Sequence, residues 1–415
     1  MPSLEKCLVV SNPCTIRSLG GEPFGPKPPI GSIGMAYPKS RRLECLAAMK
    51  LVRLIVSDLH LGTGLRRGEL NPFEDFLHDD RFAELLAHYD TLAGSETEVE
   101  LIMNGDIFDL LKVKLEGRWP TEVTQAISTA KLRQCLDGHP RFVHAVRTFL
   151  GKPRRKLTYL PGNHDLEMWF TEPQDLFRRY VAPGAASDRV HFLTSSDTYY
   201  LPEGIQIRHG HQLERMHRVD YRHMTRTRRD GTEVLDLPWG SLWIMEVMNP
   251  AKELRSYVDR IQPLTRFLLG ALLVDTRFAI RMLWRSTVFF VRHRILTIAA
   301  WRQRLRDLPR LLREEIFAIR SFDDVATHAL MRTRGVHTLI VGHSHAPRYR
   351  ALPGNKVLVN TGTWMKMINL DLSHLGQDSG LTYALIEYAE DGRPITTLMR
   401  WQGHQLPCEA VPYAD

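Results

Sequence analysis

Hydrophobic residues in this chain gather into short runs that end abruptly in polar clusters. Residues 51–57 (LVRLIVS) lead into Asp58-Leu59-His60, and residues 98–104 (EVELIMN) lead into Gly105-Asp106-Ile107-Phe108-Asp109. Residues 156–160 precede Gly162-Asn163-His164-Asp165, residues 205–208 precede His209-Gly210-His211, and residues 337–341 (HTLIV) precede Gly342-His343-Ser344-His345. Short apolar runs with β-branched residues, bounded by Gly, Asp or Asn, are signals of buried strands. Helical patterns lie between them at residues 72–89 and 121–150, and the pattern after His345 is mostly β, at 356–360, 381–388 and 395–401. Alternating strands and helices predict an α/β architecture, with ligands at the carboxyl ends of the strands.

Residues 1–49 break this scheme at one end. They are rich in Gly and Pro, lack sustained periodicity and read as a disordered tail. Residues 212–335 break it in the middle, as a mostly helical insertion between the fourth and fifth clusters. Residues 50–211 and 336–415 then form one domain around it. The insertion holds 23 Lys and Arg against 14 Asp and Glu, a net +9 in a chain whose total is +8, and only Lys252 among the 23 is a lysine. Within it, residues 264–274 and 278–291 are apolar helical stretches, and Arg277, Arg281 and Arg285 recur every fourth residue, with Arg292 seven further on. Such a stripe suits a helix lying in a membrane interface, or a phosphate-bearing partner. It suits equally a cap whose arginines extend into solvent.

At 43% hydrophobic and 25% charged, the chain of 415 residues has ordinary globular composition. Cys7, Cys14, Cys45, Cys135 and Cys408 show no paired spacing, which predicts reduced thiols in the cytoplasm. No apolar segment behind a basic start marks a signal peptide, and no stretch is long enough to span a bilayer.

The five clusters share one chemistry. Phosphoester hydrolysis at neutral pH calls for a strong nucleophile and for cations on the phosphoryl oxygens, and a two-metal site supplies both. Such a site needs a bridging carboxylate with neutral amide and imidazole ligands. Asp106 can bridge, Asp58 and His60 converge from one strand end, Asn163 offers an amide oxygen, and His209, His343 and His345 offer imidazoles.

The order DxH, GDxxD, GNHD, HGH, GHxH resembles the calcineurin-like metallophosphoesterase superfamily over about residues 51–211 and 336–401. The resemblance implies a four-layer αββα sandwich. It implies one metal on Asp58, His60, Asp106 and His345, and a second on Asp106, Asn163, His209 and His343. The ions would be manganese, or else iron or zinc, and a hydroxide bridging them would attack phosphorus. His164 matches the family residue that contacts phosphate and protonates the leaving group. Asp109 matches a residue that orients ligands from behind, a place also open to Asp165, although either aspartate can equally cap a helix.

The motifs are most similar to those of UDP-2,3-diacylglucosamine diphosphatase, which implies a lipid-linked pyrophosphate substrate at the inner membrane surface. The chain departs from that family at His164 and His211, where the diphosphatase family usually has arginine and aspartate. A nuclease, a cyclic-nucleotide phosphodiesterase or a general phosphatase remains the alternative, and so does a membrane-bound adaptor with a vestigial site. Arg348 and Trp364 are candidate substrate contacts, with a surface arginine and a core tryptophan as the plainer readings.

Overall fold

A computed structural model describes residues 51–65, 71–296, 322–370, 376–378, 380–403 and 408–410. The tail at 1–49 lies outside the described residues, as does 297–321 of the insertion.

Twelve strands build the two principal sheets. In chain order they are β1 (Leu51–Val56), β2 (Glu98–Asn104), β3 (Arg155–Leu160), β4 (Val190–Phe192), β5 (Thr198–Leu201), β6 (Ile205–Arg208), β7 (Thr338–Val341), β8 (Arg348–Leu352), β9 (Lys356–Asn360), β10 (Thr382–Tyr388), β11 (Pro394–Trp401) and β12 (Cys408–Ala410). The first sheet runs β12-β11-β10-β1-β2-β3-β4, and the second runs β8-β9-β7-β6-β5. Strands β1 to β4 are mutually parallel, with β10 antiparallel to β1. In the second sheet β6, β7 and β9 are parallel.

Alternation along β1 sorts its side chains between two faces. Val52, Leu54 and Val56 pack under Phe82 and Leu85 of helix α1 (Asp79–Ala93) and, beyond α2 (Gln125–Gly138), under Phe142 and Val146 of α3 (Pro140–Leu150). Ile55 points the other way. With Ile102 and Leu160 it meets Ile205, Ile207, Ile340 and Val359 of the second sheet. Later in the chain come α4 (Thr171–Val181), α5 (Leu264–Val274), α6 (Thr276–Phe290) and α7 (Phe322–Arg332). Ala326 and Leu330 of α7 cover Leu339, Val341 and Leu358 on the far face of the second sheet. Helix, sheet, sheet and helix thus stack in four layers. Each fully buried Leu or Ile among them contributes roughly 1.5–3 kcal/mol.

Two helices differ from the periodicity reading. The pattern at 72–89 predicts a helix from Pro72, but α1 starts at Asp79. Glu74 is used instead as a loop cap, its carboxylate accepting from the backbone N–H groups of Gly62, Gly64 and Phe76. The pattern at 121–150 divides at His139 into α2 and α3, because Pro140 lacks the N–H that would continue α2 and sits in the first turn of α3.

The described part of residues 212–335 is helical at 239–254, with a π-helical middle at Ile244–Met248, in α5 and α6, and in α7, which packs on the second sheet as its outer layer. It also carries a two-stranded hairpin, Thr225–Thr227 with Glu233–Leu235, and its Ile261–Gln262 pairs with Met367–Asn369. Its apolar core is shared. Met245, Met248, Val258 and Phe278 pack in one cluster with Leu111, Val123, Leu166 and Phe170 of the flanking chain.

Candidate metal centre

Every ligand cluster lies where a parallel strand ends. Asp58 and His60 follow β1, Asp106 follows β2, Asn163 follows β3, His209 follows β6, and His343 and His345 follow β7. The backbone there is unusual. Asp58, His60, Asp106, His343 and His345 all have positive φ, between 52° and 70°. Non-glycine residues adopt this region at a cost, and such strain collects at functional sites. Glycines let the loops close up. A Cβ on Gly162 would sit 2.2 Å from Asp106 Oδ1, and one on Gly342 would sit 2.4 Å from Asp58 Oδ2.

The side chains converge in two groups. In one, His345 Nε2 lies 3.3 Å from Asp58 Oδ1 and 3.1 Å from His60 Nε2. In the other, His209 Nε2 lies 3.2 Å from Asn163 Oδ1 and 3.2 Å from Asp106 Oδ2, with His343 in reach of Asp106 and His209. Asp106 Oδ2 is also 3.9 Å from His60 Nε2, so this carboxylate borders both groups.

Residues behind these groups fix which nitrogen faces inward. His60 Nδ1 donates to Asp109 Oδ2 at 3.2 Å and His209 Nδ1 donates to the Asn104 carbonyl at 2.9 Å, leaving both Nε2 atoms for a ligand. Asp165 accepts from the N–H groups of Gly162 and Ile107 and from the Tyr159 hydroxyl, fastening the Asp106 and Asn163 loops together. Asp109 Oδ1 accepts from His164 Nδ1 at 2.9 Å. The remaining nitrogen of His164 is left for the cavity that His164 lines.

Electrostatics at the centre favour cations. Burial raises the Asp106 carboxyl, but His209 and His164 outweigh it and hold it well below the carboxylate range. Burial lowers the His209 imidazole, but Asp106 and Asp58 push it up to about 10. The buried carboxylates hold positive charge here. Divalent ions on the same donors would meet that demand with neutral imidazoles, and the mixed carboxylate, amide and imidazole set suits them. The residues present therefore fit a two-metal site.

The other candidates fall outside this convergence. Trp364 is fully buried and its indole donates to the Thr382 carbonyl, so it supports the core and does not line the cavity. Arg348 pairs with Asp323 at 3.2 Å and is likewise absent from the cavity wall. His211 is buried beside His209, and burial first, then the neighbouring His209 and His343, hold its imidazole well below the usual range. Glu214 and His217, which the motifs do not mark, do line the cavity. Glu214 Oε2 lies 3.2 Å from His343 Nε2, and the His217 ring stands 5.1 Å from that of His343. Only their position shortly after the HGH motif hints at this.

The calcineurin-like phosphoesterase family model matches residues 52–347, which take in every ligand cluster. This chain is a calcineurin-like phosphoesterase. As a member of that family it is a metal-dependent phosphoester hydrolase, and the family implies a dinuclear site of divalent ions. Among solved structures, this phosphoesterase is similar to a dimetal phosphatase from Danio rerio, at 9% identity and TM-score 0.33, covering 88% of this chain and 100% of that one. It is also similar to a 5'-nucleotidase from Candida albicans, at 12% identity and TM-score 0.26, covering 84% and 51%. A third is a cold-active protein-tyrosine phosphatase of a psychrophilic Shewanella, at 13% identity and TM-score 0.26, covering 89% and 84%. Likenesses this distant leave the substrate open. No curated protein matches the chain.

Proposed function

We propose that this phosphoesterase cleaves a phosphodiester or pyrophosphate bond in an amphipathic, lipid-linked substrate. The observation that carries the reading is the cavity of about 700 Å³ over the metal centre. Its lining combines the polar His60, Asp106, Asn163, His164, His343 and His345 with residues of the insertion, apolar at Trp243, Ile244, Met248, Val258 and Leu264 and polar at Glu214, His217, Asp259 and Gln262. A phosphate at the metal centre would leave an attached chain within reach of those apolar side chains, where each buried CH₂ contributes about 0.8 kcal/mol.

The same insertion presents apolar surface outward. Leu273, Val274 and Trp284 are 87%, 89% and 67% exposed, near the exposed Arg281 and Arg285. These features suit peripheral contact with an anionic membrane. Among the described residues no helix is long and apolar enough to cross one.

Asp58, His60, Asp106 and His345 would hold one ion, with Asp106, Asn163, His209 and His343 holding the other. Manganese is our first choice, with iron or zinc the alternatives. When bound, the two ions supply an acidified water and charge to offset that of the phosphoryl group. The protein's own part falls to His164. Asp109 fixes its ring by accepting from Nδ1, which leaves the other ring nitrogen toward the cavity, where a protonated His164 would serve a leaving-group oxygen.

A panel of lipid-linked pyrophosphate, phosphatidyl diesters, cyclic nucleotides and aryl phosphates, run with manganese, iron and zinc, tests this reading. We expect kcat/KM to favour the amphipathic substrates, and we expect sedimentation with anionic vesicles. Equal or better turnover of cyclic nucleotides or nucleic acid, with binding that weakens steeply with salt and ignores lipid, would replace it with the nuclease alternative.

A further inference from the structure

Beside His164 lies a cluster of charges that supplies no metal ligand, although two of its members, Lys112 and Asp259, line the same cavity. Asp109, which holds both His164 and His60, also contacts Lys112 Nζ at 2.7 Å. Lys112 is 5% exposed and meets two more carboxylates, Asp75 at 2.6 Å and Asp259 at 2.7 Å. Lys252, fully buried, bridges those same two aspartates at 2.6 and 2.7 Å. Arg260 stands 3.9 Å from Asp75.

The six groups divide by origin. Asp75, Asp109 and Lys112 precede the insertion and sum to −1, while Lys252, Asp259 and Arg260 belong to it and sum to +1. Neither half is neutral alone, and an unbalanced buried charge is costly. The insertion also grips the same turn by its backbone. Asn249, fully buried, donates to the Leu111 carbonyl at 2.9 Å, one residue from Lys112. Ser241 donates to the carbonyl of Asn163 at 3.3 Å.

We infer that Lys252 and Asp259 are positioning residues for His164, acting through Lys112 and Asp109, so that the insertion is a built-in part of the catalytic centre. Asp259 holds Lys112 in place, Lys112 holds Asp109, and Asp109 sets the ring of His164. A displacement of about 1 Å in such a chain lowers turnover on the order of 100-fold. The inference rests on His164 serving the reaction but not on the lipid-linked substrate, because it is argued from ion pairs within the protein alone.

The test compares full-length wild type with D259N, K252M, D259N/K252M and N249A. Activity is read on a small aryl phosphodiester, alongside metal content and hydrogen exchange over residues 105–113. We expect D259N and K252M, assayed at saturating manganese because Asp109 also holds His60, each to lower kcat ~10–100-fold with KM retained, and to speed exchange at Asp109–Lys112. The double variant keeps the net charge but still lacks the Asp259 contact to Lys112, so it should stay about as slow as D259N. Its recovery to near wild type would overturn the positioning role in favour of net charge alone. N249A, which leaves every charge in place, should speed exchange in the same turn.

A kcat within twofold of wild type in both single variants, with faster exchange confined to the insertion, would overturn the inference. If a single variant does not fold, the double variant, whose buried charge stays balanced, decides it by the same exchange readout, with N249A as the control for loss of a backbone contact alone. If wild type hydrolyses no phosphoester while exchange at 109–112 still responds, the reading of the enzyme's function fails and the coupling stands. If that exchange is unchanged in all variants, the coupling fails.

Discussion

His164 Nδ1 donates to Asp109, and the ring gathers with His60 and Asp109, not with the Asp58–His345 or Asp106–His209–His343 donors. Its removal should therefore separate turnover from metal binding. We expect His164→Asn to lower kcat ~10²–10⁴-fold while two metal ions per chain are retained by elemental analysis, and parallel loss of metal would show it to be a ligand. Glycine substitutions make a second contrast. Alanine at Gly162 must displace the Asp106 carboxylate, because its Cβ would lie 2.2 Å from Oδ1. Gly270, in α5, has open space around its missing Cβ. Gly162→Ala should weaken metal binding at least ~10-fold, since second-sphere losses of this kind cost 10–100-fold. Gly270→Ala should raise stability by roughly 0.5–1 kcal/mol. Titration calorimetry and urea unfolding distinguish the two effects.

Between α2 and α3 stands His139, buried against Glu74 at 3.1 Å and Asp79 at 3.1 Å. Burial lowers its imidazole, but the two carboxylates outweigh burial and raise it to about 9. A folded-state value above the unfolded one of about 6.5 means that the protonated form is bound more tightly in the fold. This contribution is fully present below about pH 6.5 and is lost as pH rises through 9. It amounts to at most roughly 3 kcal/mol. Urea unfolding at pH 6 and pH 9.5 should show the decline, and His139→Gln should remove most of it. Identical pH slopes in both proteins would refute the assignment. The same junction shows what periodicity leaves out: apolar spacing runs unbroken from 121 to 150, while Pro140 splits it, a breaker visible in the sequence.

Across the whole molecule, the two carboxylates at the centre, Asp58 and Asp106, are buried at the meeting point of loops from both sheets. Bound cations would stabilise the fold by holding those loops together. At a free metal concentration 100 times the dissociation constant, linkage contributes about 2.7 kcal/mol per site. Chelation should therefore lower Tm by ~5 °C or more, and added manganese should restore it. An unchanged Tm after verified metal removal would mean that the loops are held by their protein contacts alone.

The seven ligand candidates were legible in the sequence because each ends a hydrophobic run, and a buried parallel strand delivers its last residues to one edge of its sheet. The αββα layering followed from the family motifs that those same residues spell. Partnerships across the chain were not legible. Lys112 and Asp259, or His343 and Glu214, sit more than a hundred residues apart, and no local pattern marks one as the other's counter-charge. Trp364 shows the same limit, since only packing distinguishes a core indole from a cavity wall. Local periodicity and motif chemistry determined the strands, the candidate donors and the reaction class. Tertiary structure alone decided which buried charges balance, and that placed part of the insertion against the metal centre.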